Sequence, residues 1–451
     1  MKLAKISLAA AVALGALSTA SFAQPLEEAI KGVDVSGYLR YRYDDDRYTD
    51  QTNTSGKAST TAKHKYRALA NFKTPVVNNV AFNVGVLYIN EEATTNKGGA
   101  GASSIDTGVG LGAGEDGDFG VNTYYATITP DSTKTTVMVG KMNLDTPITN
   151  AGDFDRGTGI LALNSDIPNW TFAAGAFDTW AIADHVGYTS TSGTSVTESL
   201  YVAAAMAKYG DFSAQAWYFA VPDIVDSLYY LNAAYKTKAG DVGLGIKGEY
   251  LASKLATSSR EYFTAPTFSQ GELAEDNNLY KIEGEVAFKP VKFTLGYLGN
   301  SEDGYLVSFD DNAKIITTGT MGQIWWQNNA TGVSIGAFKQ LGMKPAKGDE
   351  DELKVVYATL AWDITDAVKV ALTYVDGEAD YKESTANGGD NFKREFREIT
   401  PAVSYKHSKN LTLSAFYAML ETEKSGSGYS AAAKSTDENR DRFRFEALYK
   451  F

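Results

Sequence analysis

Residues 145–160 read DTPITNAGDFDRGTGI, which sets Asp145, Asp153 and Asp155 near a single basic residue, Arg156. Carboxylates gathered on one segment can exchange protons, ligate a hard cation, or set the sign of the potential that a passing ion meets. The first use lacks partners. The chain has no cysteine, no Gly-x-Ser-x-Gly elbow and only three histidines, His64, His185 and His407, of which His407 adjoins the turn 408–410 and is far from the other two. No nucleophile–base pair follows from these. GVGLGAG at 108–114 lacks the Gly-Lys-Ser/Thr that completes a phosphate loop. Enzymatic chemistry is therefore the weakest class.

The carboxylate segment must be held by something, and the chain around it alternates with period two. In VDVSGYLRYRYD (33–44), Val33, Val35, Gly37, Leu39, Tyr41 and Tyr43 share one face and Asp34, Arg40, Arg42 and Asp44 the other. KYRALANF, LYKIEGEVAF, VKFTLGY and VKVALTY repeat the pattern, as does RFRFEALYKF (442–451). Such segments are strands with one apolar and one charged wall. Alternation alone also suits a soluble sandwich. Connector lengths separate the two, because tight turns at 74–79, 130–134, 165–169, 365–367 and 408–410 alternate with long polar stretches at 45–63, 91–118, 255–278, 302–352 and 377–395. The expected fold is all-β: a transmembrane antiparallel β-barrel of about eighteen strands, with short periplasmic turns and long extracellular loops. That many strands enclose an aqueous lumen. The segment WWQNNATGVSIGAF within 305–341 leaves room for one more hairpin.

Composition agrees. Aromatics reach 12%, with 27 tyrosines, suited to a boundary between hydrocarbon and water. Residues 1–23 combine Lys2 and Lys5, an apolar run and small residues before Gln24, which reads as a cleaved secretory signal, leaving 24–451 as one barrel domain. The formal charge of −13 becomes −15 once those two lysines are removed, which argues against nucleic acid as a partner. No apolar run outside the signal is long enough for a helical span. An even strand number places both termini in the periplasm. The terminal Tyr449 and Phe451, in the aromatic girdle, resemble the signal read by the barrel-assembly machinery.

Arg40, Arg42, Lys65, Arg67, Arg442 and Arg444 fall on the lumen face of the first, second and last strands, which barrel closure makes neighbours. On the lipid face each would cost about 2–4 kcal/mol near the midplane. The segment 145–160 is the expected inward-folded constriction, with Asp145, Asp153, Asp155 and Arg156 facing this basic wall and favouring cations. A transverse field of this kind orients dipolar solutes. The plainer readings are a solvated surface loop and wall charges that merely pair.

PLEEAIKGVDVSGYLRYRYD, HKYRA (64–68) and the terminal ALYKF resemble the campylobacterial major outer membrane protein family of porins, with looser likeness through 139–160 and 169–184. The resemblance implies a homotrimer in outer-membrane lipid and lipopolysaccharide that admits cations and small hydrophilic solutes. It also implies divalent-cation sites near the constriction. No cofactor is required, but Ca2+ held by Asp153 and Asp184 is the candidate metal site, although Ala313 and Lys314 stand where a further carboxylate would be expected. Ala203, Ala205 and Ala207 share one strand face and would permit close packing of protomers. The alternative function is a surface adhesin or structural barrel with little channel activity.

Overall fold

The computed structural model describes residues 32–52, 58–95, 118–181, 198–262, 272–301, 304–309, 320–326, 346–431 and 439–451. The alternating segments form eighteen strands: β1 (Asp34–Thr52), β2 (Ala58–Lys73), β3 (Val80–Thr95), β4 (Asp118–Ile128), β5 (Thr135–Asn143), β6 (Arg156–Asn164), β7 (Trp170–Ala181), β8 (Leu200–Tyr209), β9 (Phe212–Val221), β10 (Val225–Ala239), β11 (Val242–Leu255), β12 (Asp276–Phe288), β13 (Val291–Gly299), β14 (Glu350–Asp363), β15 (Val368–Lys382), β16 (Asn391–Lys406), β17 (Leu411–Ser425) and β18 (Arg440–Lys450). Each pairs antiparallel with the next, and β18 pairs with β1 from Tyr38↔Lys450 to Tyr48↔Arg440. The sheet is therefore a closed barrel without an edge, the solution that satisfies every backbone group in lipid.

Closure is locked at the short-turn end, where Phe451 and Gly37 exchange both backbone hydrogen bonds at 3.1 Å. A Cβ on Gly37 would lie 2.0 Å from the Leu69 carbonyl oxygen, so only glycine lets β1 approach β2 at this point. Pro401 faces the one interruption of the β16–β17 ladder, which runs to Ile399↔Met419 and resumes at Ala402↔Phe416. Its missing amide thus costs little there.

The outer wall is the apolar one. Leu39, Ile246, Ile282, Leu295, Leu360 and Leu372 are each about half exposed. Tyr209, Tyr235, Phe288, Trp362, Tyr405, Tyr449 and Phe451 ring the short-turn end, and Tyr201, Tyr229, Tyr250, Tyr280 and Tyr374 lie nearer the loops. Two aromatic girdles around an aliphatic band fit a bilayer.

The lumen side departs from simple alternation. Inward-facing Leu228, Leu251, Leu279, Leu298, Leu353 and Val355 are fully buried. They are covered from within by residues 304–309 and 320–326 of the β13–β14 connection, which fold into the barrel. Phe309 sits 4.9 Å from Trp180 and 6.3 Å from Phe219, both edge-on. Where a further hairpin was conceivable, the described part of 305–341 is this inward segment; residues 310–319 and 327–341 lie outside the described residues.

The short turns are tied to one another. Asp166, in the β6–β7 turn, accepts hydrogen bonds from Thr133 Oγ1 (2.5 Å), the Lys134 amide (2.6 Å) and Asn164 Nδ2 (2.7 Å). The Thr133 hydroxyl contributes most to lowering its pKa from 3.8 to about 2. Because the folded value is the lower one, the stabilisation is complete above pH 4 and is lost as pH falls through about 2. The thermal midpoint of wild type should exceed that of Asp166→Asn above pH 4, and the gap should close toward pH 2. A pH-independent gap would contradict this.

Candidate functional site

Residues 144–155, between β5 and β6, turn into the lumen. The neck closes through Leu144 N to Asp155 O (2.8 Å), and Thr149 Oγ1 bonds both Thr146 Oγ1 and the Leu144 carbonyl at 2.7 Å. Asn150 caps the 3-10 turn Ala151–Asp153 by accepting the Gly152 amide at 2.9 Å. The loop rests on the wall through Arg67, whose Nη1 donates to the Gly152 carbonyl (2.9 Å) and whose guanidinium lies 4.3 Å from the centre of the Phe154 ring.

This geometry sorts the acidic residues. Asp145 is exposed, whereas Asp155 is fully buried and accepts the Asn150 amide at 2.7 Å. Asp155 therefore does not meet a passing ion as the sequence reading has it; it is a clamp inside the loop. Arg156 is likewise engaged, donating to Asn122 Oδ1 on β4 at 3.0 Å. Asp153 lies on the 3-10 turn, with its side chain outside the described residues, as is the whole of Asp184. Among the described residues no three metal-ligating side chains converge. Asp155→Asn should therefore loosen the loop, seen as increased open-channel current noise, while Asp145→Asn should move the reversal potential and leave the noise alone. The reverse pattern would refute this division.

The second inward segment meets the first, because the Ile148 carbonyl accepts both the Phe309 amide and Ser308 Oγ at 3.2 Å. It is pinned to the wall by Ser253 Oγ on β11, which donates to the Leu306 carbonyl (2.5 Å), and by Asn277 on β12, whose Oδ1 accepts the Leu306 amide (3.2 Å). Its other half is held by two carboxylates. Glu283 on β12 accepts from Thr320 Oγ1 (3.1 Å) and Tyr357 OH (3.0 Å). Glu398 on β16, fully buried, accepts three successive backbone amides, Gln323 at 2.6 Å and Ile324 and Trp325 at 2.9 Å, and the Thr400 hydroxyl at 2.6 Å. Gly322, at φ +84, turns these amides into one concavity, and Trp325 stacks on Phe396 at 5.2 Å. Consecutive N–H groups folded this way form an anion nest.

The first segment thus rests on β2 and the second on β11, β12, β14 and β16. On β18, β1 and β2 most of the side chains expected to form a basic wall are paired with acids. Arg442 and Arg440 share Asp46 (2.6 and 3.0 Å), Arg444 and Lys65 share Asp44 (2.5 and 3.1 Å), and Arg42 pairs with Glu446 (2.7 Å). Arg40 stands opposite Arg67 across the β1–β2 ladder. Below this wall, toward the short turns, opens a cavity of about 1230 Å3 lined by Arg42, Arg444, Glu446, Phe416, Lys238, Lys292 and Lys369 among others.

Sequence reasoning missed Arg440, although the alternation of RDRFRF extends to it. It also missed the Lys281–Glu249–Lys247 chain (2.7 and 3.0 Å) on β11 and β12, and Glu398, whose inward parity in REFREITP was the available signal.

Among solved structures, the fold is similar to three outer-membrane proteins. OpdK of Pseudomonas aeruginosa, determined with vanillate, has a TM-score of 0.62 at 14% identity, covering 93% of this chain and 99% of that one. OccAB1 of Acinetobacter baumannii has a TM-score of 0.61 at 17% identity, covering 93% and 97%. OpdQ of Pseudomonas aeruginosa has a TM-score of 0.62 at 13% identity, covering 93% and 98%. These likenesses speak for the barrel alone. No curated protein matches the chain in sequence. The model of the Campylobacter major outer membrane protein family matches residues 1–451, so this chain, a closed barrel of eighteen strands, belongs to that family of outer-membrane porins.

Proposed function

We propose that the chain is a water-filled, cation-preferring channel for passive diffusion of ions and small hydrophilic solutes across the outer membrane, narrowed by two inward segments rather than one. The observation that supports this reading is that residues 144–155 and 304–309 meet at Ile148 and Phe309, while Arg442 and Arg444 of β18 pair with Asp46 and Asp44 of β1. Cation preference rests on exposed Asp145, on Asp153 and on the acidity of the long loops, and opposes the basic wall across the passage. Such a transverse field orders dipolar solutes and disfavours apolar ones. The short turns and both ends of the barrel chain face the periplasm, and Tyr449 and Phe451 serve as the assembly signal. Protomers associate as trimers through small outward residues, among them Ala203, Ala205 and Ala207, within lipid and lipopolysaccharide.

Single-channel recording of the unheated protein in a planar bilayer tests the reading. Steps in multiples of three, with a cation-signed reversal potential under a KCl gradient, are expected. Silence from a barrel shown folded by heat-dependent gel mobility would favour the adhesin. Ca2+ at Asp153 and Asp184 is the proposed divalent site, and chelation by EDTA should then shift the reversal potential toward stronger cation preference, because two carboxylates are uncovered. No shift would remove the metal.

A further inference from the structure

The short-turn end carries a second pattern. Lys73, Lys208, Lys236, Lys292, Lys406 and Lys450 each adjoin an aromatic residue that is exposed on the outer wall, as in Phe72–Lys73 and Lys208–Tyr209. Successive strand residues point to opposite faces, so a ring of lysines lies on the lumen side of the aromatic girdle. Lys236 shows the direction, since its Cγ lies 3.6 Å from the position of a Cβ on inward-facing Gly245. Lys238, Lys292 and Lys369, with Arg42 and Arg444, line the 1230 Å3 cavity at this end, against Asp241, Asp363 and Glu446. Lys292 pairs with Glu285 and Lys369 with Asp363. Among the described residues, Lys73, Lys208, Lys236, Lys238, Lys406 and Lys450 have no carboxylate partner. The short turns also carry Asp131, Asp166, Asp211 and Asp366, fewer than the lysines at this end, whereas Glu350, Asp351, Glu352, Glu378 and Asp380 crowd the opposite end of β14 and β15.

We propose that the short-turn mouth is a binding vestibule for small anions of the carboxylate or phosphate class, so that the pore carries opposite charge at its two mouths and rectifies. The inference rests on the channel reading above. Cations are enriched at the loop mouth and anions at the turn mouth. A voltage that makes the loop side positive drives both ions in through the mouth that enriches them and fills the pore; the reverse polarity empties it. Screening sets the salt range, with a Debye length of about 10 Å at 0.1 M and about 3 Å at 1 M.

In a planar bilayer, orientation is read from Ser132→Cys, a turn residue in a chain without cysteine, by adding an impermeant maleimide to one compartment. In 0.1 M KCl the current should be about two-fold larger with the loop side positive, and the ratio should fall toward one in 1 M KCl. Inositol hexakisphosphate should block from the turn side at a lower concentration than from the loop side. The triple variant Lys236→Gln, Lys238→Gln, Lys406→Gln should lose both asymmetries. Equal currents in 0.1 M KCl, rectification of opposite sign, or block without sidedness would each overturn the vestibule in the wild type, whether or not the variant folds. Absence of channels at every salt would overturn the channel reading itself, a result distinct from an open, symmetric pore.

Discussion

Glu398→Ala should produce a wider channel, with single-channel conductance raised about two-fold. Removal of the carboxylate leaves the amides of Gln323, Ile324 and Trp325 without their acceptor in a site from which water is excluded. Each stranded donor costs about 1–3 kcal/mol. The segment 320–326 is held at its other end by Glu283 and by the Thr359 hydroxyl, which donates to the Thr320 carbonyl at 2.9 Å. It should therefore leave the wall, taking Trp325 off Phe396. Glu398→Gln keeps one acceptor oxygen and should fall between wild type and Ala. The barrel itself does not depend on this contact, so heat-dependent gel mobility should still show a folded species. Unchanged conductance in a folded Glu398→Ala protein would mean that residues 320–326 do not narrow the pore.

The second large effect concerns the closing seam. Asp46→Ala should lower the thermal midpoint of the barrel markedly, because Arg440 and Arg442, both buried, share its carboxylate. Breaking a buried pair from one side leaves an uncompensated charge and costs about 3–5 kcal/mol. Replacing Arg442 by Met in the same chain should recover part of the loss, since Arg440 alone has the Tyr48 ring at 5.1 Å to lie against. The gel-mobility transition on heating reads both. A single variant as stable as wild type would show that these guanidiniums are hydrated by the channel rather than held by Asp46. In that case the wall would be open to solutes along its full length.

Period-two alternation and connector length were enough to determine a barrel of about eighteen strands, its lipid face, and the pairing of the last strand with the first. These are local properties: a strand with one apolar and one charged wall has only one way to lie in a membrane, and tight turns permit only neighbouring antiparallel pairs. The expectation that Arg40, Arg42, Lys65, Arg67, Arg442 and Arg444 share the lumen face rests on the same alternation. What the local pattern could not decide is how a long loop folds, because its backbone has no ladder to follow and its contacts are far away in sequence. Asp155 and Asp145 look alike in DTPITNAGDFD, yet one is buried against the Asn150 amide and the other exposed, a difference set by how the loop folds. Glu398 looked like any lumen acid of an alternating strand. Only the tertiary structure brings residues 323–325 to it from some seventy positions away, and that long-range contact holds residues 320–326 of the β13–β14 connection against the wall.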